Sequence, residues 1–253
     1  MKIRRGGTDG SRPELDPQGH MTIVEHLAEL RTRVIICLVA VAAGAVVAFA
    51  LYEPILDLLS GPYCDIRPAD QCDFLQTDPL EGFGVRISVA TYTGLALAMP
   101  VLLYQLWAFI TPGLHPREKR YALPFVVAGV SLFLLGAILA FWTVPRALEF
   151  LVDIAGDNFE QVFTGSAYLS FLVKMMVGFG IGFEFPIVLI FLQIADLVTP
   201  EQLASSRRYA LVGIVVLVAV ITPSGDPISL AILSIPMYVF FEVSILVGRA
   251  LRT

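Results

Sequence analysis

The chain has 253 residues, of which 57% are hydrophobic and only 15% charged, with a formal net charge of −5. Soluble domains carry about 25% charged residues, so this composition excludes a water-facing globule and makes lipid the covering medium. The three cysteines show neither zinc spacing nor a C-x-x-C motif, and no nucleophile motif, phosphate-binding glycine loop or histidine cluster appears, so the chain reads as no enzyme, without cofactor or metal.

Residues 1–21 are polar and rich in Gly and Pro and read as a disordered tail. Arg4-Arg5 is followed by no apolar h-region, which argues against a signal peptide. Thr22-Ile23-Val24-Glu25 is a capping-box pattern, so a helix is expected from Thr22. Ile23, Leu27, Leu30 and Val34 then share one face, as in a helix that lies at the interface before entering lipid. Crossing the hydrocarbon takes about 20 apolar residues. Six stretches qualify or nearly so: 34–52, 87–109, 121–145, about 166–195, 209–222 and 228–247. The fifth is short, and the sixth contains Pro236 and Glu242, so both must sit in thinned bilayer or against other protein. The connecting loops fall at about 53–85, 146–165 and 223–227, the last a Pro-Ser-Gly-Asp-Pro turn by composition. One membrane domain, 22–249, precedes a short tail at 250–253.

Orientation follows from the basic residues. Arg31 and Arg33 precede span one, Arg117, Lys119 and Arg120 lie between spans two and three, Arg207 and Arg208 between four and five, and Arg249 and Arg252 after six. The other side holds mainly acidic residues. The positive-inside rule then predicts both termini in the cytoplasm.

Five carboxylates stand out. Glu29 lies four residues from Glu25 and four from Arg33, so it fits either a cation from outside or an ordinary Glu29–Arg33 pair on a solvated face. Glu118 sits among three basic residues and locally reads as their neutraliser. Glu184, in Phe183-Glu184-Phe185-Pro186, is flanked by apolar residues on both sides; a carboxylate at such depth costs at least about 2.5 kcal/mol and is a functional candidate by default. Lys174 is ten residues away, about 15 Å along a helix, too far to pair with it. Glu242 is near a helix end, within reach of Arg249 and the interface. Asp226 fits a cap for the sixth helix. Trp107, Phe109 and Tyr104 read as interfacial aromatics. Cys64 and Cys72 share the first outer loop, where a disulfide is plausible; Cys37, inside span one, should stay a thiol.

The order and spacing of several motifs resemble the TatC family, the signal-peptide receptors of the twin-arginine protein translocase. They are His26-Leu27-Ala28-Glu29-Leu30-Arg31-Thr32-Arg33; Pro100 through Tyr104-Gln105-Leu106-Trp107-Ala108-Phe109 to Pro112 and Glu118; Phe179-Gly180 with Phe183-Glu184-Phe185-Pro186; Thr222-Pro223 with Asp226; and Ile235-Pro236-Met237-Tyr238 with Phe241-Glu242. The resemblance implies an all-α integral membrane protein, six helices in a cupped, concave array. It implies that Glu29 and Glu118 receive the two arginines of a signal peptide, with Arg31 and Phe109 on the same surface. Glu184 would be the polar spot on the concave face, and with Asp226 and Glu242 the intramembrane set that meets TatA- and TatB-type single-span partners. Transport of folded cargo would draw on the protonmotive force, within a receptor complex holding several copies, in the bacterial inner membrane and without nucleic acid. A proton-coupled transporter or channel using Glu184 is the rival reading, though the paired helix breaks of such transporters are absent.

Overall fold

A computed structural model describes residues 23–64, 74–110, 122–156, 164–222 and 225–252. Among them the chain is helical, with a single isolated bridge between Leu75 and Thr164. The helices are α1 (Ile23–Ala50), α2 (Tyr52–Cys64), α3 (Glu81–Ile110), α4 (Ala122–Ala155), α5 (Gly165–Phe183), α6 (Phe185–Ile194), α7 (Pro200–Ser205), α8 (Arg207–Ile221) and α9 (Pro227–Arg252). Five of these, counting α5 and α6 as one, are long and apolar enough to cross a membrane. The sixth crossing is α8, whose 15 residues rise about 22 Å against a hydrocarbon core of about 30 Å.

The helices alternate in direction. Arg33 near the start of α1 donates to Gln105 near the end of α3 at 3.3 Å, while Arg86 near the start of α3 donates to the Phe49 carbonyl at the end of α1. One end of the bundle therefore gathers Arg33, Gln105 and Arg207, and is called here the basic end. The opposite, acidic end carries α2, which occupies the first half of the segment read as an outer loop. Gly61-Pro62 inside α2 hid it from a periodicity reading. Helix α4 likewise runs ten residues past Pro145. Both helices run through the proline without ending at it.

Glycines set the closest approaches. A Cβ on Gly44 would lie 2.6 Å from the Gly94 carbonyl, and one on Gly94 would lie 2.4 Å from the Ala45 nitrogen. Helices α1 and α3 thus meet backbone to backbone, the arrangement small residues permit where lipid removes any hydrophobic drive to associate. Gly136 does the same for α4 against the Phe179 carbonyl of α5, at 2.5 Å. Among the described residues, nearly all of the packing of α1 is with α3. The main core forms instead around α5, where Leu172, Met175, Phe179 and Phe183 join Leu233, Met237 and Phe241 of α9.

The acidic end is tied by long-range polar contacts. Glu81 accepts hydrogen bonds from the Thr77 amide at 2.8 Å and hydroxyl at 3.1 Å. It also accepts from the Ser166 amide at 3.1 Å and hydroxyl at 2.5 Å. Tyr63, Phe74 and Tyr168 stack together, and the Tyr168 hydroxyl donates to the Leu59 carbonyl at 2.9 Å. These bonds join α2, the entry to α3 and the start of α5.

Candidate functional site

Two sites emerge, one at the basic end and one within the bundle. At the basic end the ring of His26 stacks on Phe109, centroids 4.4 Å apart and planes 20° from parallel. Three residues on, Glu29 shares that face of α1 and is half-buried, with its side chain 21% exposed. Arg33, four residues further, binds Glu29 Oε1 through both Nε and Nη2, while its Nη1 reaches Gln105. Glu29 Oε2 is buried and has no hydrogen-bond partner among the described residues. The Glu29–Arg33 pair anticipated from spacing is therefore present, and half of the carboxylate remains unoccupied. Arg31 is exposed and stands about 200° round the helix from Glu29. Glu118 lies outside the described residues, eight positions beyond the end of α3.

Trp107 departs from the interfacial reading. It is 3% exposed, stacked obliquely on Phe125 at 4.9 Å and edge-on to Phe191 at 6.1 Å. It helps line an apolar cavity of about 190 Å³ with Pro124, Phe125, Ile187 and Phe191. Tyr104 is 54% exposed, as an interfacial aromatic would be.

Glu184 occupies the break between α5 and α6. Pro186 has no N–H to give to the Gly182 carbonyl, so the ladder ends there and restarts. The Glu184 carbonyl accepts the Ile187 and Val188 amides and starts α6. Its side chain runs toward α4: a Cβ on Gly129 would be 3.1 Å from Glu184 Oε2 and 2.7 Å from the Leu103 side chain. A methyl group there would press on both side chains. Both Glu184 oxygens are buried and without a hydrogen-bond partner. Lys174 is exposed. A buried, unpartnered carboxylate is costly and rare.

The remaining candidates have partners. Glu242 forms a fork-to-fork pair with Arg207, at 2.6 Å from Nε and 2.8 Å from Nη2, and accepts from the Tyr238 hydroxyl at 3.3 Å. Its principal partner is thus 35 residues away rather than the nearby Arg249, and the pair fastens the start of α8 to α9. Asp226 is buried and accepts the Ser229 amide at 2.7 Å, the cap expected for α9. Gly225 beside it has φ +59°, a conformation glycine adopts without strain. Cys64 is disulfide-bonded and Cys37 is a free thiol; Cys72 lies outside the described residues. No cluster of potential metal ligands occurs among the described residues.

The order of these features along six crossings is shared with known proteins. The Sec-independent protein translocase protein (TatC) family matches residues 25–236. The chain belongs to the TatC family. A TatC protein of Frankia casuarinae is 37% identical over 90% of this chain, and one of Corynebacterium kroppenstedtii is 32% identical over 96%. The chain spans 65% of the length of each of these two relatives. A TatC of Aquifex aeolicus is 38% identical over 90% of this chain and 95% of its own. Two crystal structures of the twin-arginine translocase receptor TatC superpose with TM-scores of 0.73 and 0.75, at 35% and 36% identity. They cover 90% and 88% of this chain and 100% and 99% of their own. The TatC match takes in both sites, Glu29 with its surroundings and the Glu184 break.

Some site residues escaped the sequence reading. His26 and Gln105 lay inside recognised motifs but gained roles only when α1 met α3. Arg207 was counted for its charge alone, and Glu81 was unremarked because its partner Ser166 is 85 residues away.

Proposed function

We propose that this chain is the signal-peptide receptor subunit of a twin-arginine translocase. It recognises the arginine pair of folded precursors at its basic end, which faces the cytoplasm of a bacterium, in the inner membrane. With TatA- and TatB-type single-span partners, and in several copies, it supports export driven by the protonmotive force. Glu29 and Glu118 receive the arginines, and Phe109 shapes the same surface through His26. Arg31 contributes from the exposed side of α1. Glu184 receives a polar group from a partner helix, and Asp226 and Glu242 hold the short α8 and α9 in the form those helices meet. The disulfide of Cys64 closes on Cys72, outside the membrane.

The observation that carries this reading is the join of α1 to α3. The His26–Phe109 stack and the Arg33–Gln105 bond draw Glu29 against the end of α3, from which the Glu118 segment departs. An arginine pair calls for carboxylates that take a planar fork, which a lysine ammonium does not match. Each charge-assisted hydrogen bond is worth about 1.5–3 kcal/mol, so loss of either acceptor should weaken binding roughly tenfold or more. Site-specific crosslinking to a twin-arginine precursor tests this with Glu29→Gln and Glu118→Gln, which keep shape and remove charge. Each should lower crosslinking, and the double variant should lose less than the sum because the two act as a unit. Wild-type crosslinking by a stably inserted double variant would refute the receptor site.

A further inference from the structure

Within the Glu29 site, one group already does what a ligand would do. Arg33 presents a guanidinium to Glu29, yet both contacting nitrogens fall on Oε1, and Oε2 stays buried without a partner. The fork geometry that makes arginine–carboxylate pairs strong uses both oxygens, so the resident pair is incomplete. Pairs between residues i and i+4 at a partly exposed surface are also among the weakest ion pairs. The third contact of Arg33 leads away from Glu29, to Gln105 on α3 at 3.3 Å. That amide oxygen gives the guanidinium a second acceptor on which to remain when it leaves the carboxylate.

We propose that Arg33 is a built-in occupant of the guanidinium seat on Glu29, displaced onto Gln105 by an arriving arginine, and thereby an internal competitor that sets the affinity of the site. The inference rests on the reading of Glu29 as an arginine acceptor. An incoming guanidinium exchanges like for like and gains the contact to Oε2 that the resident lacks. A lysine ammonium is a point charge without the planar fork; it cannot replace the contacts it must break. Competition from within the chain lowers the apparent affinity of every cation that must displace Arg33 by the same factor, while the preference for arginine comes from its own fork contacts with Glu29. No bond is made or broken in this exchange other than hydrogen bonds, and no proton need move.

The test uses the full chain in detergent or liposomes and two fluorescent synthetic peptides that carry an apolar stretch after Arg-Arg or Lys-Lys. Arg33→Gln should bind both peptides two- to fivefold more tightly, by the same factor, so the ratio of the two affinities stays where it was. Arg33→Lys, which keeps the charge but not the fork, should fall between Arg33→Gln and the parent. A purely structural role for the pair would lower thermal stability slightly and leave both affinities unchanged or weaker. Unchanged or weakened binding of both peptides by both variants, with Glu29→Gln still weakening Arg-Arg binding, would overturn the displaced-occupant role alone. Undiminished binding by Glu29→Gln would instead overturn the assignment of Glu29 on which it rests.

Discussion

At the scale of single residues, Glu184 and Glu29 are two carboxylates with opposite local solutions. Glu29 has taken a partner from its own helix, at low cost because its site borders water. Glu184 has taken none, though both of its oxygens are buried beside Gly129 and Leu103. Leaving a buried acceptor unsatisfied costs about 1–3 kcal/mol, so Glu184→Met, apolar and of similar length, should raise the thermal midpoint of the purified chain. The same change should lower export of a twin-arginine precursor while leaving peptide binding intact. A midpoint that falls would show that the carboxylate is already satisfied in the isolated chain. Both carboxylates were legible in the sequence, Glu184 from its apolar flanks and Glu29 from its i+4 arginine. The half-filled state of Glu29 was not, since it depends on the direction in which Arg33 leans once Gln105 is near.

At the scale of helices, close approach is decided by positions where a methyl group has nowhere to go. Gly94→Ala sets a Cβ 2.4 Å from a backbone nitrogen of α1, which only a shift of one helix relieves. Overpacking of this kind costs about 1–3 kcal/mol. Gly213→Ala, by contrast, meets nothing within 4 Å and removes a weak helix former, so it should be neutral or stabilising by up to about 1 kcal/mol. Thermal unfolding of the two variants side by side separates the effects; equal midpoints would mean that the α1–α3 crossing has slack. The sequence announced helices through hydrophobic runs, and the end of α3 and the start of α4 fell within a residue of the expected 109 and 121, whereas α4 ran ten residues past Pro145 and α3 began six before Ile87. It did not announce α2, because Gly61 and Pro62 are turn residues by habit and the helix is held through its Tyr63 by Phe74 and Tyr168 of other segments. Nor did it reveal that Arg207 belongs to Glu242, a pairing that exists only once α8 folds back along α9.

At the scale of the whole molecule, the charge asymmetry and the alternation of helices argue for one orientation. Single cysteines at Ser206, between α7 and α8, and at Gln76, near the entry to α3, should react with a membrane-impermeant maleimide from opposite sides, with Ser206 reached only from the cytoplasm. Labelling of both from one side would break the six-crossing arrangement. The short α8 adds a mechanical property. Its start is fastened to Glu242 and its end to the Asp226 turn, so it cannot lengthen its apolar reach by sliding along α9. Lipid on that side has to thin, or another protein has to cover the mismatch.

The near-exclusive packing of α1 against α3 also has a consequence for how the chain is made. Helix α1 is made first, and α3, its principal neighbour among the described residues, is complete some sixty residues later. Until then α1 lacks that packing. Its outward residues, Leu38, Val39 and Val46, are 63%, 63% and 71% exposed even in the finished fold and suit that wait. Helix α3 carries Arg86 near its start, and the rings of Phe49 in α1 and Tyr52 in α2 lie 4.5 and 4.8 Å from its guanidinium. A cation held over two rings is anchored there, so the crossing is fixed by charge at its acidic end and by glycine further along.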